Sequence, residues 1–296
     1  MQRVGVIGLG IMGSAYAGHL VDGGFAPGGF DVDAGALQRF AARGGRSAAN
    51  PRAIAGTCDV VITALPSVAA IDAVFFGDDG LASGAHDELV VVEASTLPLE
   101  VKERVAARMA ASGVAVLDAP VSGTGSQAKV KDLAIYASGE RAAYDRVEAV
   151  LTHVARSVRY VGEFGTGSKL KYIANLLVTI HNMSTAEAVV LAQKAGIDPA
   201  TMIDIIGDGA GTSRMLQVRG PMMAAGSYDE PGMKLDVYQK DIDIIAAFAH
   251  QVGAPTPLFA QSAVFYTAAL AQGRGKQDTA AIASVLKVMA GLAPDP

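Results

Sequence analysis

Residues 3–13 read RVGVIGLGIMG, and this stretch decides the fold. Arg3 to Ile7 is a short β-rich run, and Ser14 to Val21 beyond the glycines has the composition of a helix. Between them Gly8, Leu9, Gly10, Ile11, Met12 and Gly13 form G-x-G-x-x-G in the strand–turn–helix setting that a dinucleotide-binding turn requires. Gly8 suits the tight turn, Gly10 leaves room for a pyrophosphate against the backbone, and Gly13 lets the helix pack on the strand. The helix N-terminus offers free N–H groups and the positive end of its dipole to the phosphates.

Such a motif needs an acid about 20 residues on, ending the second strand and bonding the ribose hydroxyls. Asp31 falls in the right place, with Asp33 an alternative ribose ligand. An aspartate there repels a 2′-phosphate, so the expected cofactor is NAD, with NADP possible. Residues 26–29 (APGG) are poor strand material, so this second strand should be short.

The α/β alternation continues. Asp59–Ala64 is a buried-strand pattern that stops at Leu65-Pro66, and Leu89–Glu93 is another that stops before Thr96. Ligands of open α/β sheets lie beyond the carboxyl ends of the strands, which makes Leu65, Pro66 and Thr96 candidate cofactor contacts. Leu99–Ala111 reads as helix and Val114–Leu117 as strand. The run Asp118–Ser126 (DAPVSGTGS) is rich in small residues, a composition suited to holding a carboxylate. Strand, helix and strand follow at 133–137, 141–153 and 157–161.

Beyond Lys169 the strand signals end. Residues 169–195 form one helical pattern about 40 Å long at ~1.5 Å per residue, and further helices are expected at 199–206, 214–223, 233–252, 257–272 and 278–290. The expected architecture is an α/β Rossmann-type domain over residues 1–163 and an all-α domain over 164–296, joined by the long helix. Gly162 to Asn175 (GEFGTGSKLKYIAN) lies at this junction. It places Lys171 and Asn175 four residues apart, on the same helical face.

Composition sets outer limits. Hydrophobic residues make up 51% and charged residues 18% of 296, enough to bury large cores and too apolar for a disordered chain. A net charge of −5 gives no footprint for nucleic acid. Cys58 is the single cysteine, so no intrachain disulfide or cysteine-based metal cluster can form, and a cytoplasmic protein without metal is expected. No stretch has the uninterrupted apolar length of a membrane span. The apolar helical half points to a homodimer or homotetramer.

In combination these motifs resemble the β-hydroxyacid dehydrogenase family, over essentially the whole chain. Gly8–Gly13 resembles its cofactor signature, Asp118–Gly123 (DAPVSG) its substrate loop, Gly162–Asn175 its G-x-x-G-x-G-x-x-x-K-x-x-x-N segment, and Lys240-Asp241 its late K-D pair. The resemblance implies that Lys171 is the catalytic lysine and that Asn175 orients substrate. It implies that Ser122, Gly123 and Thr124 hold the carboxylate, and that Leu65, Pro66, Thr96 and Lys240 contact the cofactor. Lys171 also separates the chain from related imine reductases, which generally replace it. Thr124 departs from the family's second loop glycine, Lys131-Asp132 stands where many members have a glycine, and Ala174 replaces a frequent amide.

The implied reaction is hydride transfer between NAD and a small β-hydroxy acid resembling 3-hydroxyisobutyrate, with Lys171 as general acid–base. A free lysine titrates near 10.4, so burial and neighbouring positive charge (Lys169 or Lys240) must lower it. Two other readings are an NADPH-dependent reductase of a small semialdehyde acid and a dinucleotide-binding sensor without turnover.

Overall fold

The computed structural model describes residues 2–295. The chain divides into two compact units, one ending at Lys171 and one beginning at Tyr172.

Six strands of the first unit form one parallel sheet. They are β1 (Val4–Ile7), β2 (Gly28–Phe30), β3 (Arg46–Ser47), β4 (Val60–Thr63), β5 (Val90–Glu93) and β6 (Ala115–Asp118), in spatial order 3-2-1-4-5-6. This is the doubly wound order, with its switch point beside β1. The crossovers are α1 (Ile11–Asp22), α2 (Ala34–Ala42), α3 (Pro51–Ala55), α4 (Val68–Phe76) and α5 (Leu99–Ala110).

β1, β4 and β5 are buried at every position, as parallel strands covered on both faces must be. Alternate residues feed different cores. Val4, Val6, Val60, Ile62, Val90 and Val92 pack with Tyr16 and Leu20 of α1. Ile7, Val61 and Val91 pack with Ile71 and Phe75 of α4 and with Val105 and Met109 of α5. β2 spans three residues, as expected from Pro27 just before it and from its two glycines.

The later strands do not extend this sheet. β7 (Val121–Ser122), β8 (Ala134–Ala137) and β9 (Ser157–Tyr160) form a second one in the order 7-8-9, antiparallel then parallel. α6 (Gly125–Lys129) and α7 (Arg141–Val154) connect them. An isolated antiparallel bridge between Asp118 and Ser138 links the two sheets. The segment 118–126 is therefore a strand end, a two-residue strand and a helix start, rather than one open loop.

Helix α8 (Thr166–Lys194) starts in the first unit and continues through the second. The second unit adds α9 (Pro199–Gly207), α10 (Arg214–Ala225), α11 (Leu235–Gln251), α12 (Pro257–Ala271) and α13 (Ile282–Met289). The last expected helix begins instead with a 3₁₀ turn, Thr279–Ala281, because the Asp278 carboxylate accepts the Ala280 N–H at 2.9 Å. A buried polar seam runs along α8. The Tyr238 hydroxyl lies 2.9 Å from Thr179 Oγ1, and the Asn182 amide donates to Tyr266 Oη at 3.0 Å. Among the described residues, no helix is long and apolar enough to cross a membrane.

Candidate active site

The glycine turn after β1 has the geometry of a phosphate cradle. Gly8 has φ +85°, a conformation L side chains rarely adopt. A Cβ on Gly13 would sit 1.7 Å from the Gly8 carbonyl oxygen, so any larger residue breaks the contact between α1 and the turn. A Cβ on Gly10 would meet nothing within 4 Å. The backbone is therefore open to a ligand there. Gly10 is also the N-cap of α1 and brings no side-chain cap, and the first turn holds no acid. The orphan N–H groups and the positive helix end remain available to an anion.

Asp31 is tied directly to this turn. Its Oδ2 accepts the Leu9 N–H at 2.6 Å, and its Oδ1 accepts the Asp33 N–H at 2.8 Å. Asp33 is engaged otherwise: it caps α2 through the Gly35 N–H and pairs with Arg39 at 3.5 Å. Of the two aspartates, Asp31 is the one held against the glycine turn. A dinucleotide would fit these residues, its pyrophosphate against the open backbone at Gly10–Gly13 and its ribose against Asp31.

Two neighbouring strand ends are joined as well. The Leu65 N–H donates to Ser95 Oγ at 2.8 Å, so the loop carrying Leu65 and Pro66 is fixed to the one carrying Thr96. Ser122 pairs with Ala134 in the second sheet. Thr124 starts α6 with a capping box: its N–H donates to the Gln127 side chain at 3.0 Å, and its hydroxyl faces Ser126 and Gln127. The residue that departs from the family glycine thus orders its own loop.

The glycines before α8 have a steric reason. A Cβ on Gly167 would lie 2.2 Å from the Tyr136 carbonyl oxygen and 2.9 Å from that of Asp118. Only glycine lets the first turn of α8 come this close to the strands beneath it. One turn on stands Lys171, 7% exposed, and one turn further Asn175, 5% exposed. The Asn175 amide donates to Asp241 Oδ2 at 3.0 Å, and Lys240 Nζ lies 3.3 Å from Asp241 Oδ1. Asp241 is a functional candidate that sequence reasoning left behind its lysine neighbour.

A buried ionic cluster was also not foreseen. Lys102 of α5 is 0% exposed, and its Nζ lies 2.8 Å from Glu93 Oε2 and 2.5 Å from Asp118 Oδ1. Burial alone would lower the Lys102 pKa. Asp118 and then Glu93 outweigh it and hold the pKa above the ordinary lysine value. The available signal was positional: Lys102 shares a helix face with buried Val105 and Met109.

A glycine cradle on a 3-2-1-4-5-6 sheet, followed by a helical unit, defines a dinucleotide-binding protein by class. Residues 3–162 match the NAD binding domain of 6-phosphogluconate dehydrogenase, and residues 165–286 match the NAD-binding region of NADP-dependent 3-hydroxyisobutyrate dehydrogenase. The chain is 35% identical to L-threonate dehydrogenase of Cupriavidus necator, over 98% of its own length and 97% of the relative's. It is 30% identical to 3-sulfolactaldehyde reductase of Escherichia coli, over 99% and 98% respectively. A crystal structure of 3-hydroxyisobutyrate dehydrogenase from Salmonella typhimurium superposes with a TM-score of 0.87 at 32% identity, covering 96% of this chain and all of that one.

The chain belongs to the β-hydroxyacid dehydrogenase family. It is an NAD(P)-dependent oxidoreductase of small hydroxy acids, acting at a hydroxyl group.

Proposed function

We propose that the protein is an NAD-preferring dehydrogenase of small β-hydroxy acids, with Lys171 as its general acid–base. The observation that carries this reading is the pairing of Lys171 and Asn175, one turn apart on α8 and both almost withdrawn from solvent. NAD, when bound, supplies the hydride acceptor at C4 of its nicotinamide. In oxidation Lys171 Nζ, uncharged, takes the proton from the substrate hydroxyl as the carbon beneath it loses hydride. In reduction Lys171, charged, returns that proton to the carbonyl oxygen. Asn175 orients the reacting oxygen, and its side chain is itself steadied by Asp241. Ser122, Gly123 and Thr124 hold the carboxylate, Thr124 through the turn that its capping box sets. NAD preference rests on the Asp31 carboxylate at the end of β2, which opposes a 2′-phosphate.

A second reading, NADPH-dependent reduction of a small semialdehyde acid, is favoured by Arg39. Its exposed guanidinium sits on Asp33, two residues from Asp31.

The test is turnover of a panel containing 3-hydroxyisobutyrate and L-threonate, with NAD and with NADP. The wild type should show the higher kcat/KM with NAD. Lys171→Ala should lose roughly 10²–10⁴ in kcat, the usual worth of a general acid–base, while its NADH affinity stays within about twofold of the wild-type value. Comparable turnover by Lys171→Ala overturns the assignment of Lys171. A higher kcat/KM with NADP overturns the reading of Asp31.

A further inference from the structure

One buried network ties three strand ends of the first unit to the start of α8. Lys102 bridges Glu93 and Asp118 and donates to the Ser95 carbonyl oxygen at 3.0 Å. From Glu93 the network runs toward the cofactor-side loops. Its Oε1 accepts the Ser95 N–H at 3.0 Å, and the Ser95 hydroxyl accepts the Leu65 N–H. From Asp118 it runs to α8. Oδ2 accepts the Ser168 N–H at 2.7 Å, Oδ1 accepts the Ser168 hydroxyl at 2.7 Å, and Ser138 Oγ accepts the Gly167 N–H at 3.0 Å. The N–H groups of the first helical turn, which have no partner within a helix, are thus capped by a carboxylate and a hydroxyl.

This construction is costly. Replacing a buried ion pair by apolar side chains is often neutral or stabilising, so stability alone does not require three buried charges. What the charges add is direction. Two carboxylates compete for one ammonium, and each spends its remaining lone pairs on a different segment near the proposed site. Ser168 precedes Lys171 by three residues on α8, less than one turn.

We propose that Glu93, Lys102, Asp118 and Ser168 are positioning residues: together they set the height and rotation of the first turn of α8 and so aim Lys171. They touch neither substrate nor cofactor. This inference rests on the acid–base reading of Lys171.

The test compares Ser168→Ala, Ser168→Thr and Lys102→Met with Lys171→Ala. Kinetics use NAD with 3-hydroxyisobutyrate or L-threonate, whichever turns over, alongside NADH affinity and thermal midpoint. Ser168→Ala keeps the backbone bond to Asp118 and loses only the hydroxyl bond, so it should fold. Its kcat should fall roughly ten- to hundredfold, the scale of a small misplacement of a catalytic group, with NADH affinity unchanged, and its kcat–pH profile should shift. Ser168→Thr, which keeps a hydroxyl, should recover most of the rate. Wild-type kcat and pH profile in folded Ser168→Ala overturn the inference, even if the midpoint drops. Lys102→Met should lose kcat in the fraction that folds; if none folds, the serine pair decides. Full activity in Lys171→Ala is a separate result, which removes the acid–base reading itself.

Discussion

Asn175 and Asp241 lie 66 positions apart in the chain and meet through one hydrogen bond of 3.0 Å, amide to carboxylate, with both side chains buried. Asn175 reaches its neighbour from α8, and Asp241 from α11. The carboxylate fixes which way the amide faces, because an amide has two chemically different ends and a carboxylate accepts from only one of them.

Asp241→Ala should therefore raise KM for the hydroxy acid and lower kcat. Losing the partner of a buried donor costs about 1–3 kcal/mol, so a lower urea midpoint should accompany the kinetic change. Wild-type KM and kcat in the folded variant show that Asn175 needs no such holding.

Two glycine substitutions in the cradle should behave differently. Gly13→Ala forces a methyl into the Gly8 carbonyl oxygen and should weaken both the fold and NADH binding. Gly10→Ala meets no protein atom, so its urea midpoint should match wild type while NADH affinity falls at least tenfold, since the methyl enters the space a pyrophosphate needs. Fluorescence titration with NADH and urea unfolding separate the two. Unimpaired NADH binding by Gly10→Ala would mean that the cofactor lies elsewhere.

Lys102→Met should be among the most destabilising single changes in the first unit, by about 3–5 kcal/mol, because it strands two buried carboxylates. The matched triple change, with Glu93→Gln and Asp118→Asn added, should recover part of the loss by removing the unpaired charge. Equal unfolding midpoints for wild type and Lys102→Met would show that the cluster is not ionised as drawn.

Alkaline pH should unfold the protein in a defined window. Burial, which penalises the phenolate, pushes Tyr266 up to about 12 and raises Tyr16 and Tyr238 as well. Each binds its proton more tightly folded than unfolded, so its contribution is complete below about pH 10, the unfolded value, and is lost as pH rises above it. Lys102, also raised, acts with the same sign. The urea midpoint should hold steady up to about pH 9 and fall beyond pH 10, with phenolate absorbance appearing together with unfolding. Phenolate formation from these tyrosines in a chain that is still folded contradicts the prediction.

The candidate site was legible where local spacing carries it. G-x-G-x-x-G after a strand, an acid near the end of the next strand, and a lysine and asparagine four apart each need only a few consecutive residues. The doubly wound sheet followed from buried apolar runs, but β3 did not, since Arg46–Ser47 has no apolar pattern and pairs only because β2 lies beside it. Periodicity showed strands near 134 and 157 and said nothing of which sheet they join; the Asp118–Ser138 bridge reflects three-dimensional closure. Lys102 was hidden for the same reason. Its partners lie 9 and 16 positions away, on separate strands, and nothing local marks them as a trio.

Asp118 takes part in the sheet-to-sheet bridge, the ionic cluster and the cap of α8 at once. The bridge is made by its backbone, and few side chains satisfy the other two. Asparagine lacks the charge, and glutamate adds a methylene where the residue is completely buried. A saturation scan scored by activity should thus find Asp118 as intolerant as Lys171, although only Lys171 is proposed to meet a proton of the substrate. Scoring the same library by protein abundance should part them: variants at Asp118 disappear from the cell, whereas variants at Lys171 accumulate as inactive protein.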